Sequence, residues 1–182
     1  RATQAAAISA AHASVAMAAQ TGPSKHAEAL SGRATTFFSD GRTDASLSSL
    51  DAAINVLSGA LGGSFAQGGL YPTLLAALYA TRSLLRSYMA CASADGARSL
   101  REARCLQASK DAQKAMVMAP DHPLPPYSLA RAQLAVAATG VGPGGPSRSV
   151  ALRGVAIQTL RRFATRPEQA GGSARSPAVA AV

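Results

Sequence analysis

Apolar positions recur every three to four residues along most of this chain, the spacing of one helix face. Nowhere do they alternate in the two-residue rhythm of a half-buried strand. The first stripe joins Leu30, Ala34 and Phe37. After the Asp40-Gly41 punctuation a second joins Leu47, Leu50, Ile54 and Leu57, so a helical hairpin is predicted from Lys25 to Leu61. Pro72 suits the first turn of the next helix, where a missing N–H is tolerated, and Leu74, Leu75, Leu78, Leu85 and Met89 supply that helix with an apolar stripe as far as Met89. A break at Asp95-Gly96 precedes a helix from Arg98 to Met118, which Pro120 ends. Pro123, Pro125 and Pro126 then launch another over Tyr127 to Ala138. Beyond a spacer from Gly140 to Pro146, Leu152, Val155, Ala156, Leu160 and Phe163 mark a final amphipathic helix.

The expected organisation is therefore all-α. An Ala/Ser-rich segment, flexible or weakly helical, covers 1–24. A helical domain covers 25–139, with insertions near 59–69 and 92–98. A basic amphipathic helix at 147–166 caps it, and 167–182 reads as a disordered tail. A length of 182 residues suits one domain with tails. The chain is 48% apolar but only 4% aromatic, and much of the apolar share is Ala, which favours closely packed helices over sheets.

Serial hairpins invite a search for an internal period, because a single pair of helices cannot bury its face alone. Ala108, Lys114-Ala115 and Met116 to Pro120, followed by Asp121-His122-Pro123 and Tyr127-Ser128-Leu129-Ala130, look like the join between two repeats. Leu30, Ala34, Phe37, Gly41, Leu50 and Ala53 match consensus positions of the first repeat, with Ser46 where Ala is usual and Ser58 where Pro is usual. Tyr79-Ala80-Thr81-Arg82-Ser83 is similar to the Tyr-x-Asn-Arg-Ala segment of a second. On these residues the stretch from Lys25 to Thr139 resembles the tetratricopeptide (TPR) family, closest to its chaperone-cofactor class. The resemblance implies an α-solenoid of two to three repeats with a C-terminal capping helix. Leu30 to Tyr79 spans 49 positions and Tyr79 to Pro126 spans 47, against a family period of roughly 34, hence the two insertions. Arg86 falls where an aromatic or aliphatic residue is usual, so the second repeat is distorted there or the Arg snorkels to the surface.

In the family, the first helix of each pair lines a groove that takes an extended peptide. The resemblance thus nominates Ser31, Thr35, Phe38, Thr81, Leu84, Tyr88, Tyr127, Ser128 and Arg131 as groove residues, and implies an adaptor or co-chaperone-like protein that binds a protein or peptide partner. Members that grip the acidic tail of a chaperone use Lys and Asn in the first helix, Asn in the third, and Lys and Arg in the fifth. The matching positions here are Ser31, Thr35, Thr81, Leu124 and Ser128. Hydroxyls donate single neutral hydrogen bonds and bring no charge, so a less acidic peptide is expected.

Charge opens a second reading. Lys and Arg number 18 against 9 acids, a formal net charge of +9. The lysines are Lys25, Lys110 and Lys114, so the excess is mostly Arg, which together with Ala and Gly also follows from a GC-rich coding sequence. Arg153, Arg161 and Arg162 give the last helix a basic face, which would suit a subunit of an RNA-containing or membrane-associated assembly. Phe163 is the only ring there and falls on the apolar side, so base stacking is not signalled and nucleic acid is the less favoured partner.

No catalytic or cofactor chemistry is expected. Gly59 to Gly69 lacks phosphate-loop spacing and a following Lys-Ser or Lys-Thr. His12, His26 and His122 are too far apart for helical metal ligation and suit surface or capping roles, and no GxSxG elbow occurs. Asp44 and Asp51, seven apart on one helix side, read as a solvated face. Cys91 and Cys105 form neither a CxxC pair nor a disulfide framework, and Pro72 and Arg82 interrupt the most apolar stretch, so no membrane span is expected. These features suit the cytoplasm. The acid-free start, Arg1 to Ala27, offers an organelle as the alternative, though a weak flanking helix ended by Gly22-Pro23 describes it as well.

Overall fold

The computed structural model describes residues 22–61, 70–92, 98–139 and 145–164, without the side chains at 70, 145–148 and 162–164. The first 21 residues, the tail beyond 164 and most of both expected insertions lie outside the described residues. The described residues are helical with no strand among them, as the apolar spacing predicts. They form α1 (Pro23–Ser39), α2 (Thr43–Ala60), α3 (Leu70–Ala92), α4 (Arg98–Met118), α5 (Leu124–Thr139) and α6 (Gly145–Ala164). No helix among them is long and apolar enough to cross a membrane.

Helix α1 starts on Pro23, whose fixed φ and absent N–H suit a first turn. It buries Ala27, Leu30, Ala34 and Phe37, one face at 3.6-residue spacing. Its end is set by Gly41 at φ 74°, a left-handed conformation that costs glycine little. The Gly41 N–H donates to Phe38 O at 2.9 Å and the Arg42 N–H to Phe37 O at 2.8 Å, the paired bonds of a Schellman turn. So short a link folds α2 back along α1. The join is locked by Ser46, buried in α2, whose Oγ donates to Ala34 O of α1 at 2.7 Å.

Helix α3 is the hub. It packs against α2, α4 and α5, and Leu75, Ala76, Leu78, Tyr79, Ala80, Leu85 and Met89 are buried along it. With Ala27, Leu30 and Ala34 of α1, and Leu50, Ala53, Ile54 and Leu57 of α2, several of these make the main core. Burying each large aliphatic side chain contributes ~1.5–3 kcal/mol. A smaller cluster of Ala90, Cys105 and Ala135 joins α3, α4 and α5. Since Ala90 lies near the end of α3 and Ala135 near the end of α5, these two helices run in the same direction, with α4 returning between them.

Helix α5 opens on Leu124-Pro125-Pro126. Both prolines are fully buried within the first turn, where their missing N–H groups leave no helical bond unmade. His122 caps this start, its Nδ1 accepting the Leu124 N–H at 3.2 Å. Helix α6 folds back on α5 through Ala156, Leu152 and Leu160, and Ser149 Oγ donates to Ala137 O at 3.2 Å.

Candidate functional site

Side chains from distant parts of the sequence converge in two places, one charged and inward, one aromatic and outward. The charged cluster hangs on α3. Arg82 and Arg86, one turn apart, reach Asp111 of α4: Arg82 donates from Nε at 2.9 Å and Nη2 at 2.6 Å to its two oxygens, and Arg86 adds a short bond from Nη1. Arg82 Nη1 also donates to Asp51 of α2 at 2.6 Å. Two positive and two negative charges thus close on one another and tie α2, α3 and α4 together.

Burial alone lowers the pKa of Arg82, but the hydrogen bonds and charges of Asp111 and then Asp51 outweigh it and leave the guanidinium above its ordinary value. The cluster is a clamp rather than a reactive centre, since the buried carboxylate of Asp111 is saturated by arginines. It corrects two expectations. Arg86 neither distorts α3 nor snorkels outward but is largely buried on Asp111, and Asp51 is an ion-pair partner rather than part of a solvated face. Asp44, seven residues before Asp51, stays exposed, with Arg104 Nη2 of α4 at 3.9 Å.

Other cations are also engaged with rings. Arg33 and Arg42 lie over Phe37 at 5.0 and 4.5 Å from its centroid, and Arg82 and Lys114 over Tyr79 at 5.1 and 5.3 Å. Part of the positive excess is therefore structural, each contact contributing roughly 0.5–1 kcal/mol where exposed.

The aromatic site lies on α1 and α3. Phe38 is 44% and Tyr88 51% exposed. Their rings meet edge to face, centroids 5.3 Å apart at 79°, an arrangement that aligns the positive edge of one ring with the negative face of the other. Both helices therefore end on the same side of the molecule. Ser31, Thr35 and Phe38 share a face of α1, as Thr81, Leu84 and Tyr88 share one of α3.

Of the residues expected to line a groove, the structure brings Phe38 and Tyr88 into contact. Tyr127 and Arg131 are exposed one turn apart on α5, and Leu84 and Ser31 are half-buried. Thr35 and Thr81 are exposed, but each hydroxyl donates back to its own helix, to Ser31 O at 3.2 Å and Ala77 O at 2.9 Å. Ser128 departs from the expectation: it is fully buried, with Oγ donating to Pro125 O at 2.8 Å, and can touch no peptide. Arg153 and Arg161 are exposed on α6, and the side chain of Arg162 lies outside the described residues. No group of three or more His, Cys, Asp or Glu able to hold a metal occurs among the described residues.

Sequence reasoning passed over Asp111. It is the acid between Lys110 and Lys114 in a polar helix, and the available signal was its spacing, three residues after Ala108 and four before Ala115, which puts it on their helix face. No protein-family model, no curated protein and no solved structure matches the chain.

Proposed function

We propose that this chain is a protein-interaction module of TPR-like helical hairpins, an adaptor that binds a peptide across the outward faces of α1, α3 and α5. The observation that carries the reading is the Phe38–Tyr88 pair: two large exposed rings, one from each of two helices, that meet edge to face on the surface. Aromatic anchors of this kind supply much contact area with little rotamer entropy to lose. Support comes also from the common direction of α3 and α5 and from the side shared by the ends of α1 and α3. Thr35 and Thr81 spend their hydroxyls on their own helices and Ser128 is buried. The surface therefore favours a peptide with apolar anchors over the acidic tail of a chaperone.

Selection of 12-residue peptides from a display library against the purified chain tests this. Enriched peptides should carry apolar or aromatic anchors, bind with little salt dependence, and lose about tenfold in affinity with Tyr88→Ala or Phe38→Ala. Enrichment that ignores both substitutions, or binding that follows Arg153 and collapses with salt, would move the reading to a basic subunit of an RNA-containing or membrane-associated assembly.

A further inference from the structure

We propose that the outward strip of α6 is a docking site for an amphipathic helix of a second protein whose apolar seam is flanked by carboxylates. Helix α6 touches the molecule through Leu152, Ala156 and Leu160, one face at i, i+4, i+8. An exposed flank, about a third of a turn round from that face, carries Val150, 70% exposed, and Ile157, 44% exposed, seven residues apart with Arg153 between them. By helical spacing the three form a single line, which Arg161 extends one turn further, a ridge about 16 Å long at 1.5 Å rise per residue.

An end helix whose outer side meets only water is expected to be polar there. Val and Ile are also poorer helix formers than Leu, Lys or Glu, so local helix formation gives no reason for them at exposed positions. Their i, i+7 spacing is what a partner helix reads when it lies along this one.

Charge selects the occupant. The sequence of α6 contains Arg148, Arg153, Arg161 and Arg162 and no acid. A second copy packed through the same strip would set arginine against arginine, which disfavours self-association. A bilayer surface calls for a broad apolar arc of Leu, Phe or Trp, whereas the exposed aliphatics of α6 are split, Val150 and Ile157 on one flank and Val155 on the other, with Gly154 and Gln158 between. A nucleic acid strand would use the arginines but gain nothing from exposed aliphatics. A helix with an aliphatic seam and Glu or Asp beside it satisfies both features: Val150 and Ile157 enter the seam while Arg153 meets a carboxylate through its two-pronged guanidinium.

The test uses the full chain and a display library of 21-residue helix-forming peptides, with the enriched peptides then titrated singly. The proposal expects peptides of net negative charge with a seven-residue apolar repeat. Affinity should fall at least about tenfold with Ile157→Glu, while Tyr88→Ala leaves it unchanged, which separates this surface from the one on α1 and α3. Arg153→Glu should transfer the preference to the same peptides with Lys in place of Glu. Far-UV circular dichroism of each variant should match the parent, since the substituted side chains are exposed. Absence of enriched peptides, binding indifferent to Ile157→Glu, or loss of Ile157-dependent binding in favour of phosphatidylserine vesicles or a single-stranded oligonucleotide would each overturn it.

Discussion

Arg82 holds Asp111 with two nitrogens on two oxygens, at 2.9 and 2.6 Å, across 29 residues of sequence. Two bonds restrict the relative orientation of guanidinium and carboxylate more than one would, so the pair constrains the angle between α3 and α4 as well as their proximity. Arg86 on the same carboxylate and Asp51 on the same arginine extend that constraint to a third helix.

Removing the shared carboxylate should therefore cost far more than removing the outer one. Asp111→Ala leaves two guanidiniums without their buried partner, and a loss of about 3–5 kcal/mol is expected. Asp51 is half-exposed, so Asp51→Ala should cost about 1 kcal/mol or less. Urea denaturation of the two variants beside the parent measures the difference. Equal losses would show that the cluster is not what registers α4 on α3.

The two thiols should differ sharply in reactivity. Cys91 is exposed and Cys105 buried. Burial pushes the Cys105 thiol above its ordinary value, against the opposing effect of its contact with Thr139. A disulfide reagent should label one thiol per chain quickly and the second only on unfolding. Because the folded value is raised, the contribution of this thiol to stability is fully present below the ordinary range of a cysteine thiol and is lost as pH rises through the folded value. Cys105→Ala should flatten the alkaline fall in a series of denaturation midpoints.

Phe38→Ala and Tyr88→Ala should each lower stability only slightly, because both rings are half in water. Combined in a double-mutant cycle they should show a coupling of ~0.5–1 kcal/mol, the worth of an edge-to-face pair beyond its buried area. A vanishing coupling would mean that the rings do not keep each other's company in solution.

Gly41→Ala should destabilise by roughly 1 kcal/mol. No atom lies within 4 Å of a Cβ added there, so the effect comes from the left-handed backbone alone. Gly59, which is helical and equally open, is the matching control, and there Ala should stabilise slightly.

Helix positions were legible in the sequence because each rests on a local signal. Asp40-Gly41 ends α1, the stripe at Leu50, Ile54 and Leu57 fixes the buried face of α2, and Pro125-Pro126 can only stand in the first turn of α5. What local signals could not carry is pairing across long separations. Asp51, Arg82, Arg86 and Asp111 look like ordinary surface charges, and their meeting depends on how three helices cross. Ser128 shows the same limit from the other side: the resemblance nominates it for a groove, whereas in the structure it is buried beside Pro125 and Pro126. Phe38 and Tyr88 were nominated through a resemblance and stand on the surface, but no pattern in the chain announced that their rings would touch.

The buried side chains shrink along the molecule. The first two helices bury Leu30, Phe37, Leu50, Ile54 and Leu57, whereas α4 and α5 bury chiefly Cys105, Ala108, Ala112, Ala115, Ala130, Ala132, Ala135 and Ala137. Methyl groups give close approach but little adhesion per turn, so cohesion is graded from one end to the other. Such a body should open like a zip from its alanine end, with α6 and then α5 parting before the leucine end loosens. Whatever rests on α6 is then also a clasp: holding that helix down and keeping the zip shut are one equilibrium, and the amides of α5 would record both.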